Sequence, residues 1–292
     1  MIPLLLLPVL ALLSLAPSAR AQGFEDVRIQ TVAAAPGVYM LMGRGGNLGV
    51  SVGEDGVFLV DDQFAPLTSR IQAAIAGLSD MPIRFVLNTH WHPDHTGGNE
   101  NLGRAGALIV AHDNVRTRMS RSVRRTPASP SGALPVVTFR QRVTFHMNGL
   151  EIHAFHVEPA HTDGDAIVQF RNANVVHMGD TYFNGRYPFI DLASGGSVDG
   201  TIAAVERALP LMNEKTRVIP GHGPLSNRTE LEAYRNMLVL VRDRVRAAIA
   251  RGQTLEQVLA DRPTREFDPK WGGSFVSPER FIRALYADLS GE

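Results

Sequence analysis

Thr89-His90-Trp91-His92-Pro93-Asp94-His95 places three imidazoles and a carboxylate within six residues. His90 and His92 are two apart, so in an extended segment they point to one side and can grip one ion. Pro93 cannot continue a helix, so the segment is expected to stay a loop that swings Asp94 and His95 toward a second position. Imidazole nitrogens and a carboxylate oxygen suit zinc, each at roughly 2.0–2.2 Å. Two ions held close together make a hydrolytic centre, because they generate hydroxide and clamp a developing oxyanion. The competing reading is an exposed polar loop with accidental histidines. Three of the chain's ten histidines cluster here, which accident explains poorly.

The flanking residues supply a context. Ile83-Arg84-Phe85-Val86-Leu87 is a short β-branched and aromatic run that reads as a buried strand ending at the motif. Gly97-Gly98-Asn99 reads as a turn and a helix start. The motif is thereby placed on a loop at the carboxyl end of a strand, where α/β proteins carry their chemistry.

Further candidate ligands lie at other strand ends. His161 lies in Ala160-His161-Thr162-Asp163-Gly164-Asp165, ahead of a strand over 166–170. Asp180 ends the strand that begins at Val175, and His222 follows Arg217-Val218-Ile219 in a Gly-His-Gly turn. Glycine beside a ligand removes the Cβ that would block close backbone approach.

His-x-His-x-Asp-His followed by His161, Asp180 and His222 in that order resembles the metallo-β-lactamase-fold hydrolases over nearly the whole chain beyond the leader. The resemblance implies an α/β protein, an αβ/βα sandwich with the site at an edge between two sheets. It implies two zinc ions per chain. His90, His92 and His161 would hold the first, Asp94, His95 and His222 the second, and Asp180 would bridge them. Asp94 would also be catalytic, orienting the nucleophile or relaying its proton to an activated carbonyl's leaving group. Asp61, which ends a strand, is either a turn residue or an acid that supports a ligand imidazole, as acids at that point do in the family. His112, His146, His153, His156 and His177 match no ligand position.

Composition is that of a globular enzyme, with 44% apolar and 20% charged residues. Ile2 to Ala16 is an almost unbroken apolar run, and Ala19-Arg20-Ala21 matches a small-x-small cleavage site. Residues 1–21 therefore read as a signal peptide, although no Lys or Arg opens it. The run is short for a membrane span, so no stable membrane association is expected after cleavage. Residues 22–292 read as one hydrolase domain in the periplasm or outside the cell. The chain has no cysteine, which excludes a lipid-bearing cysteine, and a domain this large needs no disulfide. Lys+Arg 29 balances Asp+Glu 29, so there is no basic footprint for nucleic acid, and the expected partner is a small-molecule substrate.

Strands are expected at 38–42, 48–52, 57–60, 108–111, 143–145 and 150–157, and helices at 66–78, 229–250 and 278–289, with Asp113 and Asp199 capping two more. Leu231, Tyr234, Leu238, Val241, Val245 and Ile249 form a stripe at helical spacing and read as core. The Pro/Ser stretch at 124–135 reads as a surface connection rather than a lid.

The substrate is read as a β-lactam-type cyclic amide, cleaved with weak to moderate efficiency, because export places the enzyme where such compounds are met. Efficient di-zinc lactamases that resemble this chain carry Cys at the bridging position and Lys three residues later, where this chain has Asp180 and Phe183. Tyr182, Asn184 and Arg186 are possible substitutes for that Lys. A Lys placed at 183 is expected to lower KM for carboxylate-bearing lactams. Lactonase or glyoxalase II-like thioesterase activity is the alternative. A non-catalytic exported metal-binding protein is the reading from another class.

Overall fold

The computed structural model describes residues 23–121 and 127–291. The expected leader at 1–21 lies outside the described residues. The first sheet contains β1 (Gln30–Ala35), β2 (Val38–Met42), β3 (Leu48–Ser51), β4 (Val57–Val60), β5 (Ile83–Leu87), β6 (Leu108–His112) and β7 (Val137–Phe139) in that spatial order. The second contains β8 (Arg142–Met147), β9 (Leu150–His156), β10 (Ala166–Phe170), β11 (Val175–His177), β12 (Arg217–Ile219) and β13 (Ser226–Asn227), also in sequence order across the sheet. Strands β4 to β7 run parallel, and so do β11 and β12; the other pairings are antiparallel.

Alternation along the strands builds three layers of core. Phe58 and Val60 of β4 face the second sheet with Leu87 and Val110, meeting Ile152, Ala154, Val168 and Phe170. Their neighbours Val57 and Leu59 point the other way and pack with Ile71 and Ile75 of α1 (Thr68–Ala76). Helices α2 (Pro93–Thr96), α3 (Asn99–Arg104) and α4 (Asp113–Met119) follow β5 and β6. The outer face of the second sheet presents Ile167, Val176 and Val218 to α5 (Val198–Ala208) and α6 (Arg228–Ala250). Helices α7 (Leu255–Asp261), α8 (Asp268–Trp271) and α9 (Pro278–Ser290) close that side. The result is the αβ/βα sandwich. The stripe on α6 is core as read: Leu231, Leu238, Val241 and Val245 have no exposed surface, and each such residue contributes about 1.5–3 kcal/mol.

Three local readings change. Pro93 begins the short helix α2 instead of holding the segment as a loop, because the first turn of a helix needs no N–H from that residue. Asp113 is the first residue of α4; its cap is His112, whose ring accepts from the Asn114 amide at 3.2 Å. Ser197, not Asp199, caps α5, accepting from the Gly200 amide at 3.0 Å. Asp199 instead pairs with Arg242 and Arg246 on α6. Of the 124–135 stretch, residues 127–135 are described. They pack down on α3 and α4, with the Ala133 carbonyl accepting from Asn99 Nδ2 at 2.9 Å and the Pro135 carbonyl accepting from Arg116. None of residues 127–135 lines the cavity at the candidate metal centre.

Candidate metal centre

One edge of the sandwich collects the ends of β4, β5, β11 and β12, which form two of the parallel pairs. The segment after β5 carries His90, His92, Asp94 and His95. Asp180 follows β11 and His222 follows β12, and His161 precedes β10 from across the cleft. Two glycines make the approach possible. A Cβ on Gly221 would stand 2.0 Å from Asp180 Oδ1, and one on Gly46 would stand 2.0 Å from the His95 ring.

The donor atoms of His90, His92 and His161 lie within 4.8 Å of one another, and so do those of Asp94, His95 and His222. In the first set His92 Nδ1 and His161 Nε2 face each other at 2.9 Å. In the second, His222 Nε2 is 3.3 Å from Asp94 Oδ2 and 3.4 Å from His95 Nε2. Asp180 reaches both: its Oδ2 is 3.5 Å from His161 Nε2 and 3.4 Å from His222 Nε2, and its Oδ1 is 3.2 Å from His95 Nε2. The seven side chains singled out from the sequence are all brought together here.

The residues fit divalent ions. His90 Nε2 is buried and has no hydrogen-bond partner, and neither does Asp180 Oδ1. Such atoms are costly to bury unless something binds them. Five imidazoles and two carboxylates form an N/O donor set suited to zinc, iron or manganese. Burial drives His90 well below, and His161 down to about 4 from, the ordinary imidazole value, so both are neutral and ready to ligate. Burial also opposes charge on His95 and His222, but Asp180 and Asp94 outweigh it. They hold His95 well above its ordinary value and His222 up at about 9. A field that keeps a proton on an imidazole is one that attracts a cation.

Two imidazoles of the first segment are braced from behind. Asp61 Oδ2 lies 2.7 Å from His95 Nδ1, while Asp61 accepts from the Thr89 amide at 2.7 Å and the Thr89 hydroxyl at 2.8 Å. The Thr89 hydroxyl in turn lies 3.0 Å from His90 Nδ1. Asp61 is thus the imidazole support and more than a turn residue. Its backbone is left-handed, at φ 61°, a conformation that costs a non-glycine residue roughly 1–2 kcal/mol and is held by these bonds.

Four supports left no signal in the sequence. Asp191 accepts from His92 Nε2 at 3.0 Å, from the Ser194 hydroxyl at 2.5 Å and from the Ser194 amide at 3.2 Å. Burial pushes its carboxyl up, but the His92 and Ser194 hydrogen bonds outweigh this and hold it down at about 2. The Phe189 carbonyl lies 2.6 Å from His161 Nδ1. Asp165 accepts from the His161 and Thr162 amides at 2.7 and 2.8 Å, and burial raises its carboxyl to about 7. The Phe183 ring stacks on His222. The remaining histidines stay out of the ligand sets. His177 is buried with Nε2 3.0 Å from the Asn47 carbonyl, His153 pairs with Thr144, and His112 stacks on His156 at 3.8 Å.

The centre opens into a cavity of about 620 Å³, bordered by His92, Asp94, Asp180 and His222 on the metal side. Of the three suggested substitutes for a lysine, Arg186 lines this cavity. The Tyr182 hydroxyl is buried against Ser226, and the Asn184 amide donates to the Pro224 carbonyl.

Comparison with known proteins follows this geometry. The profile of the Metallo-beta-lactamase superfamily matches residues 42–222, the span from β2 to the last ligand. The "2,4-dinitroanisole O-demethylase subunit alpha" of Nocardioides sp. (strain JS1661) is 26% identical over 62% of this chain and 53% of its own length. A "Hydroxyacylglutathione hydrolase" of Pelagibacter ubique is 27% identical over 48% of this chain and 52% of its own. The chain thus spans about half the length of these curated relatives. Among solved structures, the DIM-1 metallo-beta-lactamase superposes with a TM-score of 0.62 at 16% identity, covering 73% of this chain and 99% of that one. At that identity the likeness speaks for the fold.

Proposed function

Since the chain belongs to the metallo-β-lactamase superfamily, we propose that it is an exported metal-dependent hydrolase that cleaves an activated carbonyl of a small molecule. The observation that carries this reading is the convergence of seven imidazole and carboxylate side chains in two sets, with Asp180 reaching both. A pair of divalent ions, with zinc the first choice, would supply hydroxide at neutral pH and polarise the carbonyl oxygen. His90, His92 and His161 would hold one ion; Asp94, His95 and His222 would hold the other. Asp94 is held below the usual carboxylate range because His95 and His222 outweigh its burial. It borders the cavity as an ionised group able to orient an attacking nucleophile and accept a proton. Asp61 and Asp191 fix the tautomers of His95 and His92, leaving the other nitrogen of each ring to face the centre.

An ester, lactone or thioester suits the site better than a β-lactam. Phe183 is 6% exposed and packed on a ligand, so that position offers no cation for a lactam carboxylate. Hydroxyacylglutathione hydrolases recur among the relatives, a second one, from Polaromonas sp., being 28% identical over 56% of this chain. The lactam remains the second reading, supported by the expected export. The test is a hydrolysis screen of zinc-loaded protein across thioesters, lactones and lactams, with His222→Ala as control. Hydrolysis of one class that is lost in the variant supports the proposal. Bound metal with no turnover of any class would leave a metal-binding protein without catalysis.

A further inference from the structure

One wall of the cavity carries a feature that metal chemistry does not use. Arg186 is half-buried there, and among the described residues it has no hydrogen-bond or ion-pair partner. The other guanidinium at the cavity, Arg44, already donates to the Gly23 carbonyl and lies over the Phe24 ring. A partly desolvated guanidinium with five donors and no acceptor is costly unless a ligand completes it.

Arg186 is also held in place. It follows Gly185, whose φ of 72° makes a turn, and lies between two anchored residues. The Asn184 amide donates to the His222 carbonyl at 2.9 Å, and the Tyr187 amide donates to the Trp271 carbonyl at 2.9 Å. Tyr187 itself is fully buried, stacked on Phe281, with its hydroxyl donating to Asp268. The backbone on either side of the guanidinium is therefore fixed before any ligand arrives.

The rest of that wall is aromatic. Phe189 and Phe275 meet edge to face with centroids 6.2 Å apart, and Phe64 lines the cavity from the other half of the molecule. Phe275 is 71% exposed, an unusual place for a large apolar ring. It is braced rather than loose: the Arg280 guanidinium lies 4.3 Å from its centroid and donates to its carbonyl at 3.0 Å. An exposed ring that lines the same cavity as an unpaired cation is an arrangement that recognises an apolar body bearing one negative charge.

We propose that the substrate is a monoanionic aromatic ester or thioester, its carboxylate held by Arg186 and its aromatic body lying against Phe189 and Phe275. This deepens the hydrolase reading and rests on it for the placing of the scissile carbonyl over the metal side. Binding, however, is measurable without turnover. A single free guanidinium matches one carboxylate, and an apolar wall disfavours a polar peptide-like carrier.

The test uses a matched pair, phenylacetylthio-propionate and phenylacetylthio-propionamide, on the zinc-loaded protein. A charge-assisted hydrogen bond predicts that the carboxylate compound binds roughly tenfold to a hundredfold more tightly than the amide, by calorimetry at short times or in the cold. In Arg186→Gln the ratio falls to near one, and in Arg186→Lys it is partly kept. Phe275→Ala weakens both compounds alike. Thermal melting of each variant checks that it is folded, and metal content checks that the centre is loaded. Equal binding of the two compounds by the native protein overturns the anchor, as does a ratio that survives in Arg186→Gln. If the ratio behaves as expected but neither compound is cleaved, the hydrolase reading fails and the anchor stands.

Discussion

The Phe183 ring lies parallel to the His222 imidazole, with planes 10° apart and centroids separated by 5.3 Å. Backbone pairing between the two residues and the bond from the Asn184 amide to the His222 carbonyl hold the stack. Phe183 therefore orients a candidate ligand, which argues against the expectation that Lys at 183 lowers KM for carboxylate-bearing lactams. Phe183→Lys will instead weaken binding of the second ion and leave KM for such lactams no better. Metal titration together with Michaelis kinetics checks this, and a lower KM with intact metal content would defeat it.

Asp61→Asn keeps the shape of the side chain but removes the charge behind His95. Loss of such a support typically costs about 10–100-fold in metal affinity. Competition with a chromogenic chelator will show that loss in the variant. An unchanged affinity would mean that the Thr89 bonds are the whole role of Asp61.

Asp180→Ala removes the one carboxylate that reaches both ligand sets. The variant will bind close to one ion where two are expected of the native protein, and nearly all turnover will be lost. Elemental analysis after dialysis gives the count. Two retained ions with full turnover would rule out the bridging assignment.

Chelated protein will lose stability as pH rises. His222 is raised from an ordinary value near 6.5 to about 9 by Asp180 and Asp94, which outweigh burial, and His95 is raised by the same acids. A raised imidazole stabilises the fold fully below its unfolded value, and that contribution is lost as pH climbs through its folded value. The Tm of metal-free protein will therefore fall between pH 6.5 and 9. Ion binding displaces these protons, so affinity will rise over the same interval. A Tm that is flat across that window would contradict the assignment.

Export predicts a mature protein that begins at Gln22 after Ala21. Intact-mass measurement of protein recovered from outside the inner membrane will give the start. Soluble protein in the cytoplasm that still begins at Met1 would rule the leader out.

Much of the fold was legible because the strands carry their own pattern. β2 and β4 are short apolar runs that stop at Gly43 and Asp61, and β5 and β10 are short runs rich in Ile, Val and Phe. β1, Gln30–Ala35, was not legible, because its residues are half-exposed and small and show no alternation. The two capping errors have one cause: Asp113 and Asp199 each stand one or two residues inside a helix, where an acid favours the first turn without being the cap.

The candidate metal ligands were legible in the sequence itself, since their chemistry depends on residue type and four of them lie within one short segment. What stands behind them was settled by tertiary structure. His92 and Asp191 are 99 residues apart, and Arg186 is placed at the cavity beside Tyr187, which α8 and α9 pin through Trp271 and Phe281. Spacing along a chain reports which side chains share a strand or a helix face. It carries no information about which residue of the second half will arrive behind a ligand of the first. That pairing is decided when two sheets bury a common apolar layer and bring their edges into one register.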